Sequence, residues 1–386
     1  VRKTARLAAS VAVLSAAVAG CASSGSGATA GSGGGAAAST MACSADPSTD
    51  AVRTYTAPPT APNPAVRGKK IAIIAVGMSS STVAVGARGV EEAAKAIGWT
   101  TTLYDGKLNP ANFPVMVKQA VASKADGIIG VGLDAPLVTQ AAKDATAAGV
   151  PIISVQGWDL NDDPSTQTEK PIFTTHISFG DRYQDFAAAV RAYGAASAQW
   201  AITKADCRGK IIDFSNNEYT TLKLLEQGFS QKIKTGCPAC KRVEVPWLAA
   251  DFGPALTSKV KAAFLQNPDA VAANGATNPT LGITQGVTQS GLTGKMQMIG
   301  GFGVAADYDA LRSHQGLTAV NSWPLQWWSF AAVDTLNSYF NKTPARDEGL
   351  GFEIVDGAQD LPTAGKDFAP GFDVPAAYEK SWGVTR

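Results

Sequence analysis

Between Lys70 and Phe340 the chain alternates short, wholly apolar runs with longer stretches whose apolar residues recur at helical spacing. No other feature constrains the fold as strongly. Lys70 to Val76 (KIAIIAV) reads as a strand, Val83 to Ile97 as an amphipathic helix, Thr100 to Tyr104 as a strand and Phe113 to Ala122 as a helix. Gly127 to Val131, Pro136 to Ala148 and Pro151 to Val155 extend the series to βαβαβαβ. After a hinge-like stretch, Phe173 to Ser178, a long helix over Asp181 to Ala201 restarts the pattern. Strands at Lys210–Phe214, Arg242–Val245, Ala270–Ala273, Met296–Ile299 and Leu317–Val320 then alternate with helices at Thr220–Lys232, Pro254–Leu265, Pro279–Gln289, Ala305–Arg312 and Pro324–Phe340. A strand apolar on both faces needs cover on both, which parallel sheets flanked by helices provide. The 386 residues also exceed what one core usually organises. The prediction is an α/β protein of two doubly wound parallel-sheet lobes. Ligands of such sheets bind beyond the carboxyl ends of the strands, so two facing lobes place one site in the cleft between them.

The amino-terminal region is of another kind. Arg2, Lys3 and Arg6 precede an uncharged apolar run from Leu7 to Gly20, which is short for a bilayer span and ends in Val18-Ala19-Gly20-Cys21. Residues 1–20 read as an export signal. Residues 22–42 are mostly Gly, Ser, Ala and Thr, and residues 57–64 (APPTAPNP) read as a stiffer spacer, so 21–66 is expected to be a tether. Those three cations belong to a total of 33 Lys and Arg against 32 Asp and Glu, so without the signal the balance is 30 to 32. A near-neutral body offers no electrostatic case for nucleic acid. Export would put everything after Cys21 outside the cytoplasm, where thiols tend to pair. Cys43, Cys207, Cys237 and Cys240 permit up to two disulfides. Cys237-Pro238-Ala239-Cys240 follows a helix and precedes a strand, whereas a redox CxxC opens a helix that lowers its thiol pKa. A structural bridge is expected, either local or from Cys207 to Cys237 or Cys240.

Several segments carry a family resemblance: KIAIIAVGMSSSTVAVGARGVEEAAKAIGW, DGKLNPANFPVMVKQAVASKADGIIGVGLDAPLVTQAAKDATAAGVPIISVQG, LLEQGF, MIGGFG and LTAVNSWP, in that order over residues 69–342. Together they resemble the type I periplasmic binding proteins, the ribose- and galactose-binding group that serves ABC importers. The start resembles a lipoprotein lipobox, which implies acylation of Cys21 and attachment to the outer face of the cytoplasmic membrane. AAVDTLNSYFNKTP, GFEIVDG and AAYEKSWG resemble actinobacterial sugar-binding lipoproteins. The resemblance implies a multi-strand hinge, a first lobe of residues 67–176 plus 322–345, and a second of 177–321 plus 346–386. It also implies a monomer that takes a small polar ligand, needs no cofactor and meets permease subunits in the membrane. Repressors of this fold carry a DNA-binding helix pair where this chain has its signal and tether. Sensing through a signalling partner is the alternative; an enzyme finds no GxSxG, HExxH or nucleophile–base pair.

Candidate site residues follow from the strand ends. Ser79, Ser80, Ser81 and Thr82 either cap the first helix or face the cleft. Asp134 reads as a cap for the helix near Pro136; GVGLDA around it imitates a dinucleotide loop, but the next strand ends in Gln156, with no acid to hold a ribose. Gln156 and Gly157 stand where sugar-binding relatives typically carry an Asp-Arg pair, and Gln156 offers both donor and acceptor. Trp158 is expected to face the ligand with a flat ring, beside Asp159. In the second lobe the candidates are Asn216, Asn217, Tyr219, Asn274, Thr277, Asn278 and Phe302, with Gly303 where relatives usually have Asp. Lys223 stands where similar proteins place arginine, or is simply solvated. Ser322 and Trp323 fall at the hinge, whereas Trp327 or Trp328 is expected in the core. His176 and His314 lack Cys, Asp or Glu at ligand spacing, so no metal is expected.

Overall fold

The computed structural model describes residues 53–162, 170–275, 282–357 and 361–384, all within one compact unit. The signal, Cys21, Cys43, Thr277 and Asn278 lie outside the described residues. The first sheet is built from β1 (Lys70–Ala75), β2 (Thr100–Asp105), β3 (Gly127–Val131) and β4 (Ile152–Val155), with α1 (Ser81–Ala96), α2 (Asn112–Ala122) and α3 (Thr139–Ala147) as crossovers. The strands are parallel in the order β2-β1-β3-β4. Ile71 to Ala75 of β1 and all of β3 are buried, as their unbroken apolar runs require. The edge strand β2 (TTTLYD) is largely open to solvent and correspondingly the most polar of the four.

The second series contains α4 (Phe186–Lys204), β5 (Lys210–Asp213), α5 (Thr220–Gly236), β6 (Lys241–Glu244), α6 (Pro254–Gln266), β7 (Ala270–Gly275), α7 (Ile283–Gln289), β8 (Gln297–Gly300), α8 (Ala305–Arg312) and β9 (Ala319–Ser322). α9 (Leu325–Phe340), β10 (Glu353–Val355) and α10 (Val374–Trp382) complete the chain. The second sheet has the order β10-β9-β8-β7-β5-β6, parallel except for β10, which runs against β9. α4 and α5 pack backbone to backbone. A side chain on Gly194 would meet the Leu225 carbonyl at 2.0 Å, and one on Gly228 would meet the Arg191 carbonyl at 2.0 Å.

After β9 the chain returns to the first lobe, where α9 lies on α1 and β4. Ser329 Oγ donates to the Gly86 carbonyl at 2.9 Å and Gln326 Nε2 to Glu92 at 2.7 Å. α9 is buried along nearly its whole length because α1, α10 and the amino-terminal segment surround it.

Two expectations are corrected here. Residues 53–66 were expected within a tether, but they are bound to the body. Thr54 and Thr56 donate through their backbone N–H to the Phe352 and Gly349 carbonyls at 3.0 and 2.9 Å, and Val66 N–H donates to Asn337 Oδ1 at 2.9 Å. Buried Asn63 donates to Asp334 Oδ1 at 3.0 Å and Ser338 Oγ at 2.9 Å. An extended, proline-rich segment makes no internal hydrogen bonds, so its polar backbone groups are available to partners on α9 and beside β10. Composition reveals the extended conformation but not those partners. The tail 346–386, expected wholly in the second lobe, divides: β10 extends the second sheet, whereas α10 packs on α9 and α1. The buried Asp334 carboxylate joins them, accepting from Trp382 Nε1 at 2.7 Å and from Arg346 at 2.6 and 3.0 Å. Cys237 and Cys240 form a disulfide with each other, which resolves the open pairing of that motif in favour of the local bridge. Among the described residues no helix is long and apolar enough to cross a membrane.

Candidate functional site

A cavity of about 420 Å³ lies where the carboxyl ends of the two sheets meet. That volume suits a small organic solute. From the first lobe it is lined by Val76, Ser79, Ser80, Thr82, Val83, Leu108, Gly132, Asp134 and Gln156, which follow β1, β2, β3 and β4 or open α1. From the second come Phe186 and Val190 of α4, Tyr219, Thr221 and Leu222 after β5, Trp247 and Phe252 after β6, and Phe302 after β8. Trp323, Leu325 and Trp328 supply the hinge side. Among the described residues no Lys, Arg or His lines it, and Asp134 is its one carboxylate.

Local structure explains the polar wall. Asp105 at the end of β2 accepts from the Met78 and Lys107 backbone N–H groups, both at 3.0 Å, and fixes the loop that carries Ser79. Those bonds hold the Asp105 carboxyl below its ordinary pKa. Ser80 occupies the cap position of α1 without a capping bond; its hydroxyl lies 3.0 Å from that of Thr82. Ser81 does not line the cavity. Asp134 also makes no capping bond, contrary to expectation: its Oδ1 accepts from Trp158 N–H at 3.0 Å, tying the loop after β3 to that after β4. Burial pushes its carboxyl up to about 6 despite that bond, so it holds or releases a proton near neutrality. Gln156 has a left-handed backbone, φ 60°, unusual for a side-chain-bearing residue and a mark of local strain. Its Nε2 is buried with no partner. At Gly157 a side chain would lie 2.1 Å from the Leu133 carbonyl, so the arginine of sugar-binding relatives has no room here.

Several predicted residues serve the framework instead. Trp158 is buried but does not line the cavity, because its loop folds back on Asp134. Asp159 is fully buried and accepts from Leu160 N–H at 2.7 Å, Ile172 N–H at 2.9 Å and Phe173 N–H at 2.8 Å, with His176 Nε2 at 2.8 Å. It pins the segment leaving the first lobe. Asn216 closes its own turn, donating to the Trp247 carbonyl at 3.1 Å and accepting from Glu218 N–H at 2.9 Å. Asn217 and Lys223 are exposed and away from the cavity. Asn274 donates to Asp213 Oδ1 at 2.9 Å inside the second sheet. Ser322 is buried, 2.5 Å from the Tyr308 hydroxyl. The cavity thus gathers Ser79, Ser80, Thr82, Asp134, Gln156, Tyr219, Phe302 and Trp323 from the expected set.

Sequence reasoning missed most of the apolar lining. Leu108 and Trp247 each lie a few residues past a strand end, the position that the carboxyl-end rule marks. Phe186 with Val190, and Leu325 with Trp328, are helical neighbours at the starts of α4 and α9, so each pair shares a face. Trp327 is the buried packing residue, its Nε1 3.0 Å from the Tyr378 hydroxyl, while Trp328 lines the cavity with Nε1 buried and unpartnered.

The model of the periplasmic binding protein domain matches residues 71–343. The chain belongs to that family. Solved structures agree on the type I fold. A solute-binding protein of an ABC transporter from Agrobacterium vitis, bound to α-D-tagatopyranose, is 20% identical and superposes with TM-score 0.65 over 78% of this chain and 100% of its own. A second A. vitis solute-binding protein, with D-fucose, is 21% identical with TM-score 0.64 over 78% and 100%. One from Actinobacillus succinogenes, with D-allose, is 17% identical with TM-score 0.63 over 75% and 97%. No curated protein sequence matches the chain. Periplasmic binding protein domains of this type bring two parallel-sheet lobes together around a cleft, which is where this cavity lies.

Proposed function

We propose that this protein is an extracytoplasmic solute-binding lipoprotein that captures a sugar or sugar-like solute in the inter-lobe cavity and delivers it to membrane permease subunits of an ABC importer. The observation that carries this reading is a cavity walled by both lobes and the hinge, since a solute touching both walls favours the closed arrangement over the open one. The sugars held by the three structural neighbours support the solute class. The protein binds as a monomer, needs no cofactor and returns the solute unchanged. Cys21, acylated, retains it at the outer face of the cytoplasmic membrane, because two or more acyl chains anchor stably where one does not.

The test is a thermal-shift survey of pentoses, hexoses, polyols and their glycosides, followed by small-angle scattering with the best binder. A solute that selects the folded, closed form raises Tm and contracts the particle. Recovery of a chemically altered solute, or no shift across the survey, overturns the reading. Radiolabelled palmitate should enter the wild-type protein in cells and not Cys21→Ser; equal labelling removes the anchor.

A further inference from the structure

The cavity is two-sided in its chemistry. Among the described residues, every carboxyl and amide group that lines it, Asp134 and Gln156, belongs to the first lobe, beside Ser79 and Thr82. Among the described residues every aromatic ring belongs to the second lobe and the hinge, with Phe186, Tyr219, Trp247, Phe252 and Phe302 on the lobe itself. A free hexose is ringed by hydroxyl groups, and each one buried against hydrocarbon without a partner is penalised. Among the described residues the second-lobe wall offers hydroxyls from Tyr219 and Thr221 alone. An ionised solute fares worse: among the described residues no cation lines the cavity to meet an anion, and a cation would find Asp134 alone. On the other side, the Gln156 amide and the Ser79 and Thr82 hydroxyls offer both donors and acceptors to the oxygens of a solute.

We infer that the preferred solute is a neutral, two-ended molecule: a hydroxylated end with acceptor oxygens held by the first lobe, and an apolar, planar ring held among the second-lobe aromatics, as in an aryl glycoside. This rests on the reading of the cavity as a solute site and narrows its substrate class. Rings stacked or set edge-on in such a pocket gain both burial and aromatic contact.

The experiment titrates the full chain by calorimetry with glucose, galactose, xylose and ribose, each as the free sugar, the methyl glycoside and the phenyl glycoside. The tightest binder should be a phenyl glycoside, exceeding its methyl counterpart by at least about tenfold, the change expected from burying one ring. Trp247→Ser should bring the phenyl-to-methyl affinity ratio down to within about twofold of one. A circular dichroism melt of the variant establishes that it folds. Phe252→Ser, at a site only partly buried, repeats the comparison if Trp247→Ser does not fold. A free sugar or methyl glycoside that binds as tightly as its phenyl partner overturns this inference and leaves the solute-binding reading standing. No binding by any of the twelve compounds overturns both.

Discussion

Trp323 lies flat on Tyr193, ring centroids 4.6 Å apart and planes 3° from parallel. Trp323 lines the cavity and Tyr193 is buried in α4, with its hydroxyl donating to the Gly301 and Asn321 carbonyls at 2.9 and 2.6 Å. A cavity residue from the hinge is therefore positioned by a second-lobe helix that is itself fixed to the ends of β8 and β9. Tyr193→Phe should keep the stack and lose about 0.5–1.5 kcal/mol of stability in urea denaturation. Trp323→Ala should weaken the best solute by about tenfold or more, because flat aromatic anchors concentrate binding energy. Calorimetry showing parental affinity in Trp323→Ala would remove Trp323 from the site.

Asp159 marks the opposite case, a polar residue beside the site that stabilises without lining it. Burial raises its carboxyl pKa, but the bond to His176 and the N–H groups of Ile172, Phe173 and Leu160 outweigh that, and the net shift is downward. A lowered native value means that its stabilisation is present at neutral pH and fades as pH falls below 3.8. Asp159→Ala should cost about 3–5 kcal/mol by chemical denaturation, with solute affinity unchanged in the folded fraction. A selective loss of affinity with stability intact would return Asp159 to the site.

Glu226 on α5 meets Arg242, which also binds Asp213 at 2.7 Å. Burial, then the neighbouring Asp213, push Glu226 from 4.5 up to about 9. The native state keeps a proton that the unfolded chain releases near 4.5, so this group makes stability fall as pH rises through that interval. Glu226→Gln, neutral at every pH, should flatten the decline in Tm between about pH 5 and pH 9. An unchanged slope would show that Glu226 is ionised in the native protein.

Asn63 joins the amino-terminal segment to α9, donating to Asp334 and Ser338 and accepting from Asn341 Nδ2 at 3.1 Å. Asn63→Ala should cost about 1–3 kcal/mol, since it leaves buried groups of α9 unpaired. Hydrogen exchange should then accelerate over residues 53–66. No change in either measurement would mean that the segment adds nothing to the fold.

Gly228→Ala would improve helix propensity at an exposed position, yet here it should destabilise by about 1–3 kcal/mol, because the added carbon meets the Arg191 carbonyl. A melting temperature equal to or above the parent's would show that α4 and α5 can separate.

The sequence by itself determined the order of elements from β1 to α9, the two parallel sheets and the end of each sheet where a cavity would form. Apolar runs and helical spacing are local properties, and parallel packing follows from them. The same locality reached Ser79, Gln156, Tyr219 and Trp323, which stand at strand ends. Only the tertiary structure decided which neighbours of those ends face the cavity. Gln156 lines it while Trp158 and Asp159, two and three residues on, turn inward, because Asp134 and His176 lie far off in the chain and set the path of the loop. The apolar lining was hidden for a related reason: Leu222 and Trp328 carry no label that separates a wall from a core. Nor could composition show that residues 53–66 are held down, since the hydrogen bonds that hold them come from α9 and the region of β10, nearly three hundred positions later. Those contacts exist only once the chain has folded back on its own beginning.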